Sequence, residues 1–230
     1  MTLVLVHGAW HGGWCWQRLT PHLERLGVFV RVVELPSVGA PARSAVDLSR
    51  DAATVRSVID SVPAPLVLCG HSYGGMVISQ AAAGARNVAR LVYLCAFMPA
   101  EGQSLVDIGE GELAPWIVRL GDGRTLPDLS RASELFFGDC DAATQTWAVE
   151  QLRPQPPAPF EEPVPVPAWR SIPSTYIVCT QDRAFPPELQ REVFAARASE
   201  VAELECSHSP FLSQPARLAE LLAGCVRRAA

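Results

Sequence analysis

Pro65-Leu66-Val67-Leu68-Cys69-Gly70-His71-Ser72-Tyr73-Gly74-Gly75-Met76 is the stretch from which the rest of the chain can be read. A short apolar run, bounded by Pro63 and Pro65 on one side and Gly70 on the other, fits a buried strand. Gly70-x-Ser72-x-Gly74 follows at once, and the Ala-rich segment Met76 to Ala85 suits a packed helix. Strand, tight turn and helix is the context in which this spacing marks a nucleophile elbow. Such a turn strains its central residue and projects the side-chain hydroxyl beyond the end of the sheet. Glycines at 70 and 74 let strand and helix pass closely. By composition alone a bare G-x-S-x-G arises in about one chain of this size in ten to twenty, so the flanks matter more than the match.

The 230 residues suit one domain with a full core and a modest insertion. A net charge of -5 without a basic stripe gives no case for nucleic acid. All 19 basic residues are arginines. The lack of lysine excludes Schiff-base chemistry and a Walker-type phosphate loop. The seven cysteines form no C-x-x-C pair, and Cys69, Cys95 and Cys179 stand in apolar runs as small hydrophobes. An odd count with no secretory signal predicts a reducing, cytoplasmic location. Met1 to Val6 has neither the basic flank of a signal peptide nor the length of an anchor, and no run of 18 apolar residues predicts a membrane span.

Outward from the elbow, Thr2–Val6 reads as a first strand that stops at the loop His7-Gly8-Ala9-Trp10-His11-Gly12-Gly13. Thr20-Pro21 fits the cap and first turn of a helix that Gly27 ends, and 28–33 reads as a second strand. Leu48, Ala52, Val55, Ile59 and Val62 mark one face of a further helix, and 91–95 a strand after the elbow helix. This alternation predicts an α/β fold: a mostly parallel six-stranded sheet with helices on both faces. From Met98 to about Ile172 the rhythm breaks. We read 99–171 as a small helical cap, with helices near 112–120, 130–137 and 142–152 and a stiff return arm carrying seven prolines between Pro154 and Pro167. The core is then 1–98 and 172–230, resuming with a strand at 174–180, a helix at 187–197, a strand at 201–205 and a helix at 214–226.

A serine hydroxyl needs a base, and His208 lies just past the last predicted strand. The carboxylate that would fix its tautomer is expected after the preceding strand, where Asp182 stands. The rival place, after the 91–95 strand, offers Ala96-Phe97-Met98 and no carboxylate before Glu101. Ser, Asp, His is a known chain order for this triad, and all three fall at the strand ends where parallel sheets hold their sites. The developing oxyanion needs two donors, for which the backbone N–H groups of Ala9 and Tyr73 are the candidates. His7 and His11, four apart on a glycine-rich loop with no partner at ligand spacing, do not read as a metal site.

The segments 7–16 (His-Gly-Ala-Trp-His-Gly-Gly-Trp-Cys-Trp), 70–75, 179–182 (Cys-Thr-Gln-Asp) and 207–211 (Ser-His-Ser-Pro-Phe) together resemble α/β-hydrolases of the hydroxynitrile lyase and plant methylesterase group, its bacterial esterases most of all. The resemblance implies the α/β-hydrolase fold, the triad Ser72, Asp182 and His208, and the oxyanion donors Ala9 and Tyr73. Lyases of this group carry threonine where this chain has Gly8, and lysine where it has Ser209. With no cation for a cyanide leaving group, and with Gly8 leaving room for an acyl oxygen, the resemblance favours ester hydrolysis. The expected activity is a serine carboxylesterase acting on small hydrophobic or aromatic esters, without metal or organic cofactor. Gly8, Trp10, Phe97 and Phe211 are the expected substrate-binding residues. A lyase, lactonase or natural-product tailoring enzyme with the same triad is the alternative, as is a receptor-like protein with little turnover. The expected partner is a small-molecule ester, with no nucleic acid and no membrane, and the chain is read as monomer or homodimer.

Overall fold

Thr2–Val6 (β1) and Leu66–His71 (β3) are buried along nearly their whole lengths. Neighbouring residues of a strand face opposite sides of the sheet, so burial of this kind requires cover on both faces. In the computed structural model, which describes residues 1–63 and 65–229, β1 and β3 pair in parallel, with Thr2 opposite Leu66 and Val6 opposite Gly70. The sheet is completed by β2 (Phe29–Val33), β4 (Val88–Leu94), β7 (Ser174–Cys179) and β8 (Glu200–Leu204), in the order β2-β1-β3-β4-β7-β8. Every pairing is parallel, a stricter arrangement than the sequence pattern demands. The edge strands β2 and β8 are the least buried, as one covered edge and one open edge would make them.

The covering helices associate in pairs, α1 (Thr20–Arg25) with α10 (Pro215–Arg228) and α2 (Leu48–Ser61) with α3 (Gly74–Ala81). The Asp47 side chain caps α2 by accepting the Arg50 N–H at 2.8 Å. Thr20 does not cap α1 as expected. It is the first helical residue, and its hydroxyl donates to the Trp16 carbonyl instead.

Between β4 and β7 lies the inserted segment, with α4 (Leu105–Ile108), the antiparallel pair β5 (Ile117–Arg119) and β6 (Thr125–Pro127), α5 (Leu129–Phe137), α6 (Ala142–Gln151) and α7 (Ala158–Glu161). The helix expected near 112–120 is therefore wrong. β-Branched Ile117 and Val118 pair with 126–127 around a turn in which Gly123 adopts φ +87° and Asp122 accepts the Arg124 N–H. The proline-rich return is not merely extended either. It contains α7 and bridges to Thr125 through Gln155 and to Gln103 through Val164. After β7, the helix expected at 187–197 is divided into α8 (Pro187–Leu189), a π turn (Gln190–Phe194) and a 3-10 turn (Ala195–Arg197). The short α9 (Pro210–Ser213) then precedes α10.

Candidate active site

Ser72 follows β3 directly and holds φ +53°, a left-handed conformation that costs a non-glycine residue on the order of 1–2 kcal/mol. Its backbone is bonded on all sides: its N–H to Leu94, and its carbonyl from Gly75 and Phe97. The flanking glycines are required by contact. A Cβ on Gly70 would lie 2.5 Å from the Gly74 carbonyl oxygen, and one on Gly74 would lie 2.7 Å from two carbonyls of the 6–7 segment.

His208 and Asp182 come from the loops after β8 and β7, and both are nearly inaccessible. His208 Nδ1 lies 2.6 Å from Asp182 Oδ2. Asp182 Oδ1 accepts the N–H groups of Ala184 and Phe185, at 2.9 and 2.8 Å, and Oδ2 also accepts Gln190 Nε2 at 3.0 Å. A carboxylate with every lone-pair direction used can only accept, so His208 Nδ1 carries the proton and Nε2 is left as a base. Gln190, whose Oε1 also accepts the Cys179 N–H, is an orienting group that sequence reading missed. It lies in the π turn, where no periodicity marks it.

Behind Ser72, His71 Nε2 meets the His208 carbonyl at 2.9 Å, which makes Nε2 its protonated nitrogen. Burial drives the His71 imidazole well below the ordinary histidine range, and neighbouring histidines add to the effect. His71 is thus a neutral strut between the elbow and the His208 loop.

The loop after β1 is organised by two further imidazoles. His7 Nε2 accepts the Leu35 N–H at 3.1 Å, so Nδ1 is the donor to the Gly8 carbonyl at 2.9 Å. The trans peptide points its N–H opposite to its carbonyl, so this contact turns the Ala9 N–H away from His7. His11 Nδ1 donates to the Ala9 carbonyl at 2.7 Å, and burial pushes this imidazole down to about 3. Ala9 and Tyr73 both line a cavity that Ser72 also lines, and neither amide donates a hydrogen bond among the described residues. Two unspent N–H groups on residues that share a cavity with Ser72 are free to donate to an anionic partner.

The cavity has a volume of about 330 Å³, and Ser72 and His208 are among the residues that line it. One wall is aromatic: Trp10 meets Trp116 and Phe160 at 5.8 Å between ring centroids, and Phe160 stands edge-on to Tyr73. Phe97, stacked on Phe185 at 4.5 Å, forms another. Leu105, Ile108, Ile117 and Leu189 add aliphatic surface. Glu112 is the sole carboxylate at the wall among the described residues, and no arginine lines it. Arg119, Arg124 and Arg153 of the inserted segment face Glu161, Asp122 and the carbonyls of residues 150 and 152.

Trp10 and Phe97 were expected at the pocket and lie there. Phe211 does not. It is fully buried behind the elbow, with its ring 4.9 Å from both Trp16 and His71, because α9 directs it into the core. Gly8 does not line the cavity either. A Cβ there would come within 2.9 Å of both His71 Nδ1 and Ser72 Cβ, so its small size serves the packing of loop on elbow.

A parallel sheet with a serine elbow, a histidine and an aspartate at its strand ends defines the alpha/beta hydrolases, and the chain belongs to the alpha/beta hydrolase family, whose model matches residues 3–221. Among curated relatives, it is 31% identical to a pyrethroid hydrolase of Sphingobium wenxiniae, over 96% of this chain and 86% of that one. It is 27% identical to putative methylesterase 14 of Arabidopsis thaliana, over 95% of this chain and 70% of that one. Among solved structures, a pyrethroid hydrolase from Sphingobium faniae superposes with a TM-score of 0.84 at 28% identity, covering 99% of this chain and 97% of that one.

Proposed function

We propose that the chain is a serine carboxylesterase that hydrolyses small, hydrophobic or aromatic carboxylic esters through an acyl-Ser72 intermediate. Ester hydrolysis is the chemistry of its relatives, which include a pyrethroid hydrolase and a carbendazim-hydrolysing esterase. The observation that carries the assignment is the 2.6 Å His208–Asp182 contact beside an apolar cavity that His208 and Ser72 both line. In this reading His208 Nε2 takes the Ser72 proton as the hydroxyl attacks the ester carbonyl. The Ala9 and Tyr73 amides hold the oxyanion. The imidazolium, stabilised by Asp182, then protonates the departing alcohol. Water activated by the same nitrogen releases the acid.

The cavity wall supports the substrate class: aromatic and aliphatic surface suits an uncharged acyl or alcohol group, and Glu112 disfavours an anionic one. We assign residues 99–171 as the cap that supplies much of this wall. Six buried thiols, all unpaired, support a reducing cytoplasmic setting, and no helix among the described residues is long and apolar enough to cross a membrane.

The test is a panel of p-nitrophenyl esters, lactones and an aromatic cyanohydrin, with Ser72→Ala and Asp182→Asn alongside. Ester turnover should vanish in Ser72→Ala, and Asp182→Asn should lower kcat by up to about 10⁴ with the fold intact. Cyanohydrin cleavage without ester turnover would assign a lyase. A single acylation followed by stable binding would assign a receptor.

A further inference from the structure

Trp10 holds φ +62°, a conformation foreign to a bulky side chain, and all its polar groups are spent on the inserted cap. Its N–H donates to Gln155 Oε1 at 3.1 Å, its carbonyl accepts the Arg153 N–H at 3.0 Å, and its indole Nε1 donates to Thr125 Oγ1 at 3.3 Å. Because Gln155 Oε1 must face the Trp10 N–H, its amide nitrogen faces Ser37 Oγ, at 2.8 Å. The Ser37 hydroxyl in turn donates to Asp51 Oδ2 at 2.5 Å, and the Ser37 N–H donates to Asp51 Oδ1 at 3.0 Å. The Tyr73 hydroxyl reaches the same Oδ2 at 2.8 Å. Every member of this chain is buried, Asp51 and Gln155 completely.

The direction of donation is therefore fixed from end to end. Two lines of hydrogen bonds converge on Asp51: one direct from Tyr73, the other from Trp10 by way of Gln155 and Ser37. Tyr73 supplies one oxyanion donor, and Trp10 follows the residue that supplies the other. We propose that Asp51 is a positioning residue that holds both halves of the oxyanion hole in register, with the cap residue Gln155 linking it to the loop half. The proposal rests on the oxyanion-hole assignment made above. It places a control point for acyl transfer on the helix after β2, away from the triad, and makes hole geometry depend on the cap being docked. A buried polar chain with every donor matched is rigid, and loss of one link leaves a partner unsatisfied at a fixed position.

Gln155→Leu, Ser37→Ala and Tyr73→Phe each cut one link and touch neither Ser72, His208 nor Asp182. Each should lower kcat for a p-nitrophenyl ester by about 10- to 100-fold, less than the full loss of an oxyanion donor, with KM within about threefold of wild type. The inhibition constant of an aryl trifluoromethyl ketone, whose hemiketal oxyanion occupies the hole, should rise in proportion to the loss in kcat/KM. That of the product acid should not move. The acid limb of the kcat/KM pH profile should stay in place. Ser37→Ala removes a single hydroxyl, so it keeps the test alive should Gln155→Leu fail to fold. Wild-type kcat and ketone affinity in folded Ser37→Ala and Tyr73→Phe, with Ser72→Ala inactive, would overturn the positioning role and leave the esterase standing. Full turnover by Ser72→Ala would remove both.

Discussion

At Ser72 the backbone φ of +53° is enforced by neighbours that bond its N–H and its carbonyl, so the strain survives whatever side chain stands there. Glycine relieves it and alanine does not. Ser72→Gly should therefore be more stable than Ser72→Ala by about 1 kcal/mol, both inactive, as read from urea unfolding midpoints. Equal midpoints would mean that the elbow relaxes on substitution. The same residue shows why the proposed triad was legible: an elbow leaves a fixed spacing of glycines around one serine, and the proposed acid and base fall at strand ends that periodicity locates. Gln190, Gln155 and Asp51 left no such trace. Gln155 bonds residues more than 100 positions away, Asp51 bonds Ser37 and Tyr73 on other elements, and Gln190 bonds Asp182 and Cys179 across a turn that no motif marks; a buried glutamine or aspartate looks like any polar residue of a helix or turn until the fold is known. Phe211 failed for the opposite reason. Adjacency to His208 in sequence suggested the pocket, but α9 turns successive side chains in different directions, and its ring points into the core.

Among the elements, the β5–β6 hairpin is the one the sequence concealed most. Its strands are three residues each, too short for alternation to show, and Trp116 just before it read as part of a helix face. The core strands were legible because both faces are buried and the apolar runs are continuous. The hairpin matters because Trp116 lines the cavity and stands edge-on to Trp10 and Phe136. Trp116→Ala should lower kcat/KM for a p-nitrophenyl benzoate about tenfold, near the 1.4 kcal/mol that an aromatic contact is worth, and change that for the acetate much less. A uniform loss across both esters would assign Trp116 to holding the cap together. Three residues of the insert, Thr125, Arg153 and Gln155, also hold Trp10.

For the whole molecule, burial of neutral imidazoles predicts how stability varies with pH. His11 falls from 6.5 to about 3 in the fold, and His71 falls as well, both chiefly through burial. The unfolded chain binds protons below about 6.5 that the folded chain refuses, so the stability these residues permit is whole above that pH and is lost as pH falls toward 3. The slope is about 1.4 kcal/mol per pH unit for each histidine while the folded form stays neutral. Asp51, whose carboxyl burial raises above its ordinary range, works in the opposite direction, one group against two. Helix-capping Asp107, Asp128 and Asp141, held below the usual carboxylate range by serine and threonine donors, add to the loss at lower pH still. Thermal melts from pH 7 to 4 should show a steadily falling midpoint. A flat profile would mean that these rings find protons, and hence water, in the native state.

The insertion between β4 and β7 also sets an order of events during synthesis. The proposed nucleophile and both proposed amide donors leave the ribosome before the insert, and the imidazole that would arm the serine only after β8. A nascent chain stalled anywhere between the insert and that strand holds a hydroxyl with no base beside it, so in the proposed mechanism catalysis switches on only once His208 has emerged.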